Sequence, residues 1–210
     1  MRELAMFPLG TPVLPGMVLP LRLFEPRYLQ MYADIIDSTR EFGVVLIERG
    51  LESRDDNPTF GIGCTARIIG SGLNDDGTIG LVSVGETRIK LEEWLTSDPY
   101  PRAEVTDLED EPLGGVGMAA LEEGLGKIPE LMEMATRLSP EFDAQLPELS
   151  DDPVRAVYQL AQVAGLQALD LQRVLEAASS DARARLVTLY IDESIELMRL
   201  QLEVGGSSTT

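Results

Sequence analysis

The segment from Phe7 to Tyr28 constrains the fold of this chain more than any other. It reads FPLGTPVLPGMVLPLRLFEPRY, and it joins a proline-rich stretch to an apolar run that ends at Phe24. Because proline fixes φ and lacks an amide proton, Pro8–Gly16 is predicted to be an extended, turning loop and not a central strand. The apolar run from Met17 onward predicts a strand, in which Pro20 is tolerated only at an edge or a bulge.

The pattern changes at Glu25, where a helix reaching Arg40 is predicted to begin. Pro26 stands in the first turn, which accepts proline, and the Glu25 carboxylate lies near the positive end of the helix. The apolar residues of this segment share one helical stripe. They are Tyr28, Met31, Tyr32, Ile35 and Ile36. We expect Glu25 and Arg27 to fix the corner through backbone hydrogen bonds, with direct contact to a partner as the alternative.

Short apolar segments separated by turn signals predict a β-rich N-terminal half. The predicted strands are Glu3–Phe7, Met17–Phe24, Phe42–Glu48, Phe60–Ile69, Ile79–Val84, Glu86–Leu91 and Ala103–Leu108. Gly85 indicates a bulge or bend, Asn74–Gly77 a tight turn, and Arg49–Pro58 a surface loop. Several short strands with one early helix favour a small barrel or a strongly curved sheet.

The C-terminal half is predicted to be helical, which makes the fold class α+β. An acidic, glycine-containing stretch at Asp107–Gly117 is the predicted boundary. Predicted helices cover Val116–Leu138, where two pieces or a kink are expected, then a segment starting at Pro153, Asp170–Ala177 and Ser180–Val204. The last helix is predicted to bury Leu186, Leu189, Tyr190, Leu197 and Leu200. We therefore expect domains at 1–110 and 111–204, with a flexible tail at 205–210.

Charge restricts the partners that such a chain can have. It carries 36 acidic and 17 basic residues, a net charge of −19. A surface of this sign repels phosphate backbones and anionic lipid, so we expect neither nucleic-acid nor membrane binding. Acidity that maintains solubility is the simpler interpretation, and a basic partner is the alternative. A single cysteine and the lack of a long apolar run predict a cytoplasmic protein.

The residue types needed for common catalytic sites are scarce. The chain has no histidine, and Cys64 is its one cysteine, so neither a histidine-based triad nor a thiolate metal cage can form. The Gly124–Lys127 segment resembles a phosphate loop only superficially, because it lacks the first glycine and the Ser or Thr. We expect no metal, no cofactor and no enzymatic activity. A small-molecule enzyme would require a pocket that joins Glu25 and Arg27 to a desolvated acid.

Several motifs together resemble one protein family. The run PGMVLPLRLFEPRY followed by FGVVL at Phe42–Leu46 resembles the N-terminal, PUA-like substrate-binding domain of Lon proteases, also called the ATP-dependent protease La domain. Weaker similarity continues through GIGCTAR, VGETR and YPRAEV. The resemblance implies a PUA-like β-barrel followed by a helical bundle. It also implies a stand-alone member of the family, without the ATPase and protease domains.

The resemblance implies a protein- or peptide-binding function, as an adaptor or regulator in proteolysis or protein quality control. The implied partners are unfolded or tagged protein segments, with a protease or a chaperone as a further partner. Apolar residues near the proline loop are the candidate peptide-binding residues: Val13, Leu14, Met17, Phe24 and Tyr28. Exposed strand edges offer a second way to add an extended peptide. RNA binding is the alternative function, because PUA-like folds include RNA-binding members, but the net charge disfavours it.

Overall fold

The computed structural model describes residues 1–48, 58–96, 98–139 and 149–206. The predicted surface loop falls outside them except for Pro58, and so does the predicted tail beyond residue 206. The chain separates into two compact units, Met1–Glu109 and Asp110–Thr210. In the described residues, the first unit contains every strand and one helix, and the second contains four helices, which confirms the α+β class.

The first unit is a closed barrel with one further strand at its side. Its strands are β1 Arg2–Leu9, β2 Val18–Leu23, β3 Glu41–Ile47, β4 Thr59–Leu73, β5 Ile79–Trp94 and β6 Arg102–Leu108. The sheet order is β2-β5-β4-β3-β1-β6, and β6 pairs with β5 as well as with β1. That additional pairing closes five strands into a ring and leaves β2 at the edge. The predicted barrel is thus confirmed, with β1 and β3 parallel and the other neighbours antiparallel.

Helix α1, Pro26–Ile35, packs against the barrel core through the predicted stripe. Tyr28, Met31 and Ile35 are buried, and Tyr32 and Ile36 pack against the same core from partly buried positions. The Tyr28 ring stacks on Phe7 with 4.1 Å between centroids. Each such fully buried side chain stabilises the fold by about 1.5–3 kcal/mol. The helix is shorter than predicted, since it ends at Ile35 and not at Arg40.

The proline loop closes over the core of the barrel and is held to β5 at Gly85. The Gly16 amide donates to the Gly85 carbonyl at 2.8 Å, and the Gly85 amide donates to Met17 at 2.9 Å. Gly16 has φ of +83°, a left-handed value that glycine adopts without strain. Gly85 permits the close approach, because a Cβ there would overlap the Leu14 carbonyl and lie 2.9 Å from Val13 Cγ1. The loop is therefore part of the folded core.

The proline loop begins later than predicted, because β1 continues through Pro8 to Leu9. Pro8 is paired with Val45 of β3, while the pairing of β1 with β6 covers Arg2–Ala5. A missing amide proton is tolerated where a strand has its ladder on one side. Proline at this position therefore does not interrupt the strand.

β5 is one strand with an irregularity at Gly85, where two strands were predicted. Cys64 of β4 pairs with Arg88, and Ala66 pairs with Gly85, so two steps along β4 match three along β5. This is the predicted bulge, and it bends the strand between its pairing with β2 and its pairing with β6.

The second unit is built from α2 Gly115–Leu138, α3 Pro153–Val163, α4 Ala168–Glu176 and α5 Ser180–Gly206. Helix α2 continues through Pro129, so of the two predicted alternatives the division into two pieces is wrong, and the kink stays a prediction. Gly124 lets α2 pack closely against α3 and α5, because a Cβ there would lie 2.9 Å from Leu160 Cδ2 of α3 and 3.0 Å from Thr188 Oγ1 of α5. Thr188 also donates to the Ala120 carbonyl at 2.7 Å. No helix in the described residues has both the length and the apolar character needed to cross a bilayer.

The predicted buried face of α5 is largely wrong. Leu189, Leu197 and Leu200 are exposed, whereas Tyr190 is buried and Leu186 is intermediate. The helix instead buries a stripe of smaller and β-branched residues together with one arginine: Arg183, Ala184, Val187, Thr188, Ile191 and Ile195. Close packing at Gly124 favours burial of this face of α5, because compact side chains fit where two helix backbones lie near each other. Leu189, Leu197 and Leu200 form a second apolar stripe on the solvent-exposed side of α5.

A buried charge network joins the start of the second unit to its helices. Arg183 is fully buried, and its Nη2 lies 3.2 Å from Asp110 Oδ1. The Arg183 guanidinium lies 4.7 Å from the centroid of the Tyr158 ring, and the Tyr158 hydroxyl donates to Asp110 Oδ2 at 2.8 Å. Arg183 Nε also donates to the Val174 carbonyl at 3.1 Å. Asp110 thus compensates a cation that would otherwise be buried without its charge partner.

Asp110→Ala is expected to lower the free energy of unfolding by about 3 kcal/mol, because it leaves the Arg183 charge uncompensated. Urea denaturation measures the change. Glu196→Ala is the matched control, since it removes an exposed partner of Arg199 and should cost under about 1 kcal/mol. Equal effects of the two substitutions would contradict the assigned role of Asp110.

Gly85→Ala is expected to destabilise the protein by about 2 kcal/mol or more, because its methyl group would overlap backbone. Gly61→Ala provides the control, since a Cβ at Gly61 meets nothing within 4 Å. The control should be neutral or stabilising by roughly 0.5 kcal/mol, because alanine loses less entropy than glycine in a strand. Thermal unfolding of both variants measures these changes in stability.

Candidate peptide-binding surface

The structure separates the five predicted site residues into two groups. Val13, Leu14 and Tyr28 are only 1%, 0% and 3% exposed, so they belong to the core and present no surface to a partner. Met17 is partly buried and packs against the same core. Phe24 is 67% exposed, directly after the last residue of β2. The hydrogen bonds at Gly85 explain the difference, because they fold the proline loop inward.

An apolar surface lies on the outer side of β2 and β5. Val18 is opposite Val84, and Pro20 is opposite Val82 in the antiparallel register. Opposite residues of antiparallel strands point to the same face, with Cβ atoms about 5 Å apart. These four residues therefore form one apolar block, which we name the β2 face. Val18 and Val82 are 56% and 38% exposed.

Glycines on β4 and β5 leave the neighbourhood of the β2 face flat. Gly70 is opposite Val82, and Gly72 is opposite Gly80. Cβ atoms built at Gly70 and Gly72 would meet nothing within 4 Å. Ile69, in the bulge before Gly70, adds a further side chain that is 61% exposed. An extended segment can therefore lie across the strands without meeting large side chains.

Paired charges border the β2 face at both ends. Arg22, opposite Gly80, forms an ion pair with Asp76 and donates from Nε to Thr78 Oγ1 at 3.1 Å. Arg67, opposite Val84, pairs with Glu86 at 2.7 Å. Because each of these arginines has a carboxylate partner, the surface is apolar at its centre and electrically balanced at its ends.

The turn beside Asp76 holds that carboxylate in its charged form. Thr78 donates to Asp76 Oδ1 from its hydroxyl at 2.7 Å and from its amide at 3.1 Å. These hydrogen bonds, together with nearby Arg22, lower the pKa of Asp76 from its usual value. Asn74 donates to the same threonine hydroxyl at 2.9 Å. The turn and β2 are thereby joined through Thr78 and Arg22.

Pro20 affects how a peptide could bind here. β2 is at the end of the sheet order, so its outer edge has no neighbouring strand in the described residues. Pro20 removes one amide donor from this strand, and a proline on an edge discourages the addition of another strand. Contact through side chains on the β2 face is therefore favoured over backbone pairing along the edge.

The corner between β2 and α1 is held by side chains. Arg27 pairs with Glu25 at 2.9 Å, and its guanidinium lies 4.6 Å from the centroid of the Tyr28 ring. Tyr28 is buried as predicted, and Arg27 Nε donates to Glu25 Oε2 at 3.0 Å. The predicted fixing of the corner by hydrogen bonds from these two side chains to backbone stays a prediction. Phe24 is thus displayed next to a rigid corner.

Sequence reasoning missed Val18, Val82 and Val84, and one local signal could have found them. β5 contains the run Leu81-Val82-Ser83-Val84, in which Ser83 is buried and Val82 is exposed. The Ser83 hydroxyl donates to the Leu19 carbonyl at 3.2 Å, which satisfies it inside the protein. A strand that turns its polar residue inward and its valines outward is typical of a surface that meets another molecule.

In the part of the chain that the structure describes, no group of three or more His, Cys, Asp or Glu residues could hold a metal ion. Cys64 is fully buried in the barrel core, where its side chain packs as a small apolar residue.

Comparison with models of known protein families assigns the chain to one of them. Residues 3–193 match the model of the ATP-dependent protease La (LON) substrate-binding domain. The chain belongs to this family. The predicted family is therefore confirmed, and the match extends over both compact units.

Lon proteases are among the curated proteins that this LON-family chain resembles. Lon protease 2 of Herpetosiphon aurantiacus is 26% identical over 204 residues, which cover 95% of this chain and 25% of the relative. Lon protease of Brevibacillus choshinensis is 25% identical over 208 residues, which cover 98% of this chain and 27% of the relative. The chain thus spans about a quarter of the length of these relatives.

Two solved structures share the LON fold. The Lon N-terminal domain protein from Xanthomonas campestris has a TM-score of 0.64 at 24% identity, over 87% of this chain and 95% of that one. The N-terminal domain of Mycobacterium avium complex Lon protease has a TM-score of 0.61 at 20% identity, over 91% and 98% of the two chains. At these identities the similarity establishes the fold.

NMR titration of the Asp76 carboxyl carbon is expected to give a midpoint below the usual value of about 3.9. Because the pKa of Asp76 is lower in the folded state than in the unfolded chain, its ionisation stabilises the folded state at pH values above the usual pKa. This contribution is lost as the pH falls through the folded-state pKa. In Thr78→Val the midpoint should rise, because the hydroxyl donor is lost. An unchanged midpoint would show that Thr78 does not stabilise the charged form.

Proposed function

We propose that this LON-family chain recognises apolar segments of non-native polypeptides through the β2 face and Phe24. The family description as a substrate-binding domain supports a recognition function. The observation that carries the proposal is the exposure of Val18 and Val82 on one face of two paired strands, with Phe24 exposed directly after the end of β2. Exposed apolar side chains grouped in this way are typical of interaction sites.

The size of the β2 face sets the length of the segment and the strength of binding. The two residue rows of the face lie about 7 Å apart along the strand, which matches roughly three residues of an extended peptide. Ordering such a segment costs free energy that a small contact only partly offsets. We therefore infer weak, reversible binding with broad sequence tolerance, as a module that samples many chains requires.

The charges near the β2 face favour a polypeptide over RNA. Arg22 and Arg67 flank the face, and both pair with carboxylates. A phosphate backbone would have to displace those carboxylates against a net charge of −19. An apolar peptide can bind without disturbing either ion pair.

We extend the proposal to a non-catalytic role as an adaptor or regulator in cytoplasmic proteolysis or protein quality control. The relatives are named Lon proteases, and this chain aligns with about a quarter of their length. A chain that binds substrate segments weakly could deliver them to a protease or a chaperone. Pull-down from the source organism followed by mass spectrometry would identify that partner.

Val82→Asp is expected to weaken binding of a fluorescein-labelled, permanently unfolded polypeptide by about tenfold, or about 1.4 kcal/mol, because it places a charge at the centre of the face. Fluorescence anisotropy with reduced, carboxymethylated lactalbumin measures the change. Phe24→Ser should also weaken binding of this polypeptide.

Val116→Asp is the matched control, because Val116 is an exposed valine on α2 and lies outside the β2 face. It should bind like the unmodified protein. Circular dichroism establishes that all three variants are folded. The proposed site is wrong if Val82→Asp and Val116→Asp bind equally well.

A further inference from the structure

The second unit contains a groove that the proposed function does not use. It has a volume of about 340 Å³ and lies between the turn that joins α3 to α4 and the C-terminal half of α5. We name it the α5 groove and define it by Leu166, Tyr190, Glu193, Leu197 and Met198. The concave shape provides a place for a bound side chain or helix turn.

The α5 groove opens onto an exposed apolar stripe of the same helix. Glu193, Leu197, Leu200 and Val204 follow one another at intervals of four, three and four residues, which places them on one helical face. Leu197 is 58% exposed, and Leu200 and Val204 are also exposed. At about 1.5 Å per residue the stripe is roughly 16 Å long. This is the length of about three helical turns of a partner.

The charged residues that line the groove favour a positively charged partner. The two charged residues that line it, Asp170 and Glu193, are both acidic. Asp170 already pairs with Arg173 at 3.0 Å. On α5, Asp192 pairs with Lys127 and Glu196 pairs with Arg199, each at 2.7 Å. Among the described residues, the Glu193 carboxylate has no hydrogen-bond or ion-pair partner, so it is the acid that can accept a cation.

We propose that the α5 groove binds a cationic, amphipathic polypeptide segment. Its apolar side chains cover the stripe at Leu197 and Leu200, and a lysine or arginine pairs with Glu193. A second copy of this chain fits less well, because the same acidic residues would face each other and each chain carries −19. An anionic lipid surface is opposed by the same charge. The site lies in the other unit from the β2 face, so its existence does not depend on the proposed function.

Helical side-chain spacing supports this mode of recognition. A helix that presents apolar residues at i, i+3, i+4 and i+7 can lay them along an apolar groove. Positive residues beside that face would meet Glu193 and the acidic surroundings of α5. The apolar contacts supply most of the affinity, and the charges supply selectivity and faster association.

The test uses the full chain and a fluorescein-labelled leucine–lysine peptide with leucines at helical spacing. Fluorescence anisotropy is expected to show binding that weakens as salt is added. A peptide with glutamate for lysine should not bind. A peptide with serine for leucine and the same charge should bind at least about tenfold more weakly, because the apolar contacts are lost.

Two substitutions locate the site, and each has a matched control. Leu197→Asp should weaken binding by about tenfold, whereas Val116→Asp, at an equally exposed apolar residue of α2 outside the groove and the stripe, should leave it unchanged. Glu193→Gln should weaken binding by about threefold and reduce its salt dependence. Glu133→Gln removes the same charge from an exposed position of α2 and should do neither.

The proposal is overturned if Leu197→Asp and Val116→Asp have equal effects, or if the acidic peptide binds as well as the basic one. Equal losses in Glu193→Gln and Glu133→Gln would assign the binding to overall charge and also overturn it. Sedimentation equilibrium gives a further outcome, since a dimer of this chain that Leu197→Asp dissociates would assign the groove to a second copy. Loss of peptide binding in Val82→Asp but not in Leu197→Asp would assign the peptide to the β2 face and would also overturn this proposal.

Discussion

The backbone contact between the proline loop and Gly85 determines how the loop, β2 and β5 are arranged in the first unit. It brings Leu14 and Met17 against β5, and it is possible because Gly85 has no side chain. The loop then closes the barrel core, β2 starts in register with β5, and β5 bends at the bulge. The outward direction of Val18 and Val82 follows from that register. A contact between backbones therefore positions the surface on which we place polypeptide binding.

Much of this fold could be predicted from the sequence, because its strongest signals are local. The stripe on α1 has strict helical spacing, and its members all pack on the barrel core. The turn at Asn74–Gly77 is specified by residues that tolerate left-handed backbone, and Gly77 has φ of +81°. The bulge at Gly85 was predicted for the same kind of reason. In each case a few adjacent residues contain the information.

The candidate site was harder to predict, because burial is decided by distant neighbours. Val13 and Leu14 have the composition of an exposed, proline-ordered loop, yet their contact with β5 places them in the core. α5 has two apolar stripes, and the buried one is the stripe whose Thr188 and Ile191 lie against Gly124 of α2. On β5 the buried Ser83 reverses the pattern that hydropathy predicts. Only Phe24 and Met17 of the predicted site residues remain near the proposed surface.

The ion pair of Arg183 with Asp110 has a consequence for dividing this protein into fragments. Asp110 comes immediately after Glu109, the last residue of the first unit, but its carboxylate neutralises a guanidinium inside the second. A helical fragment that begins at residue 111 would therefore enclose an arginine without a counter-ion. Expression of the second unit by itself should start at or before Asp110, so that the excised piece retains its internal electrical neutrality.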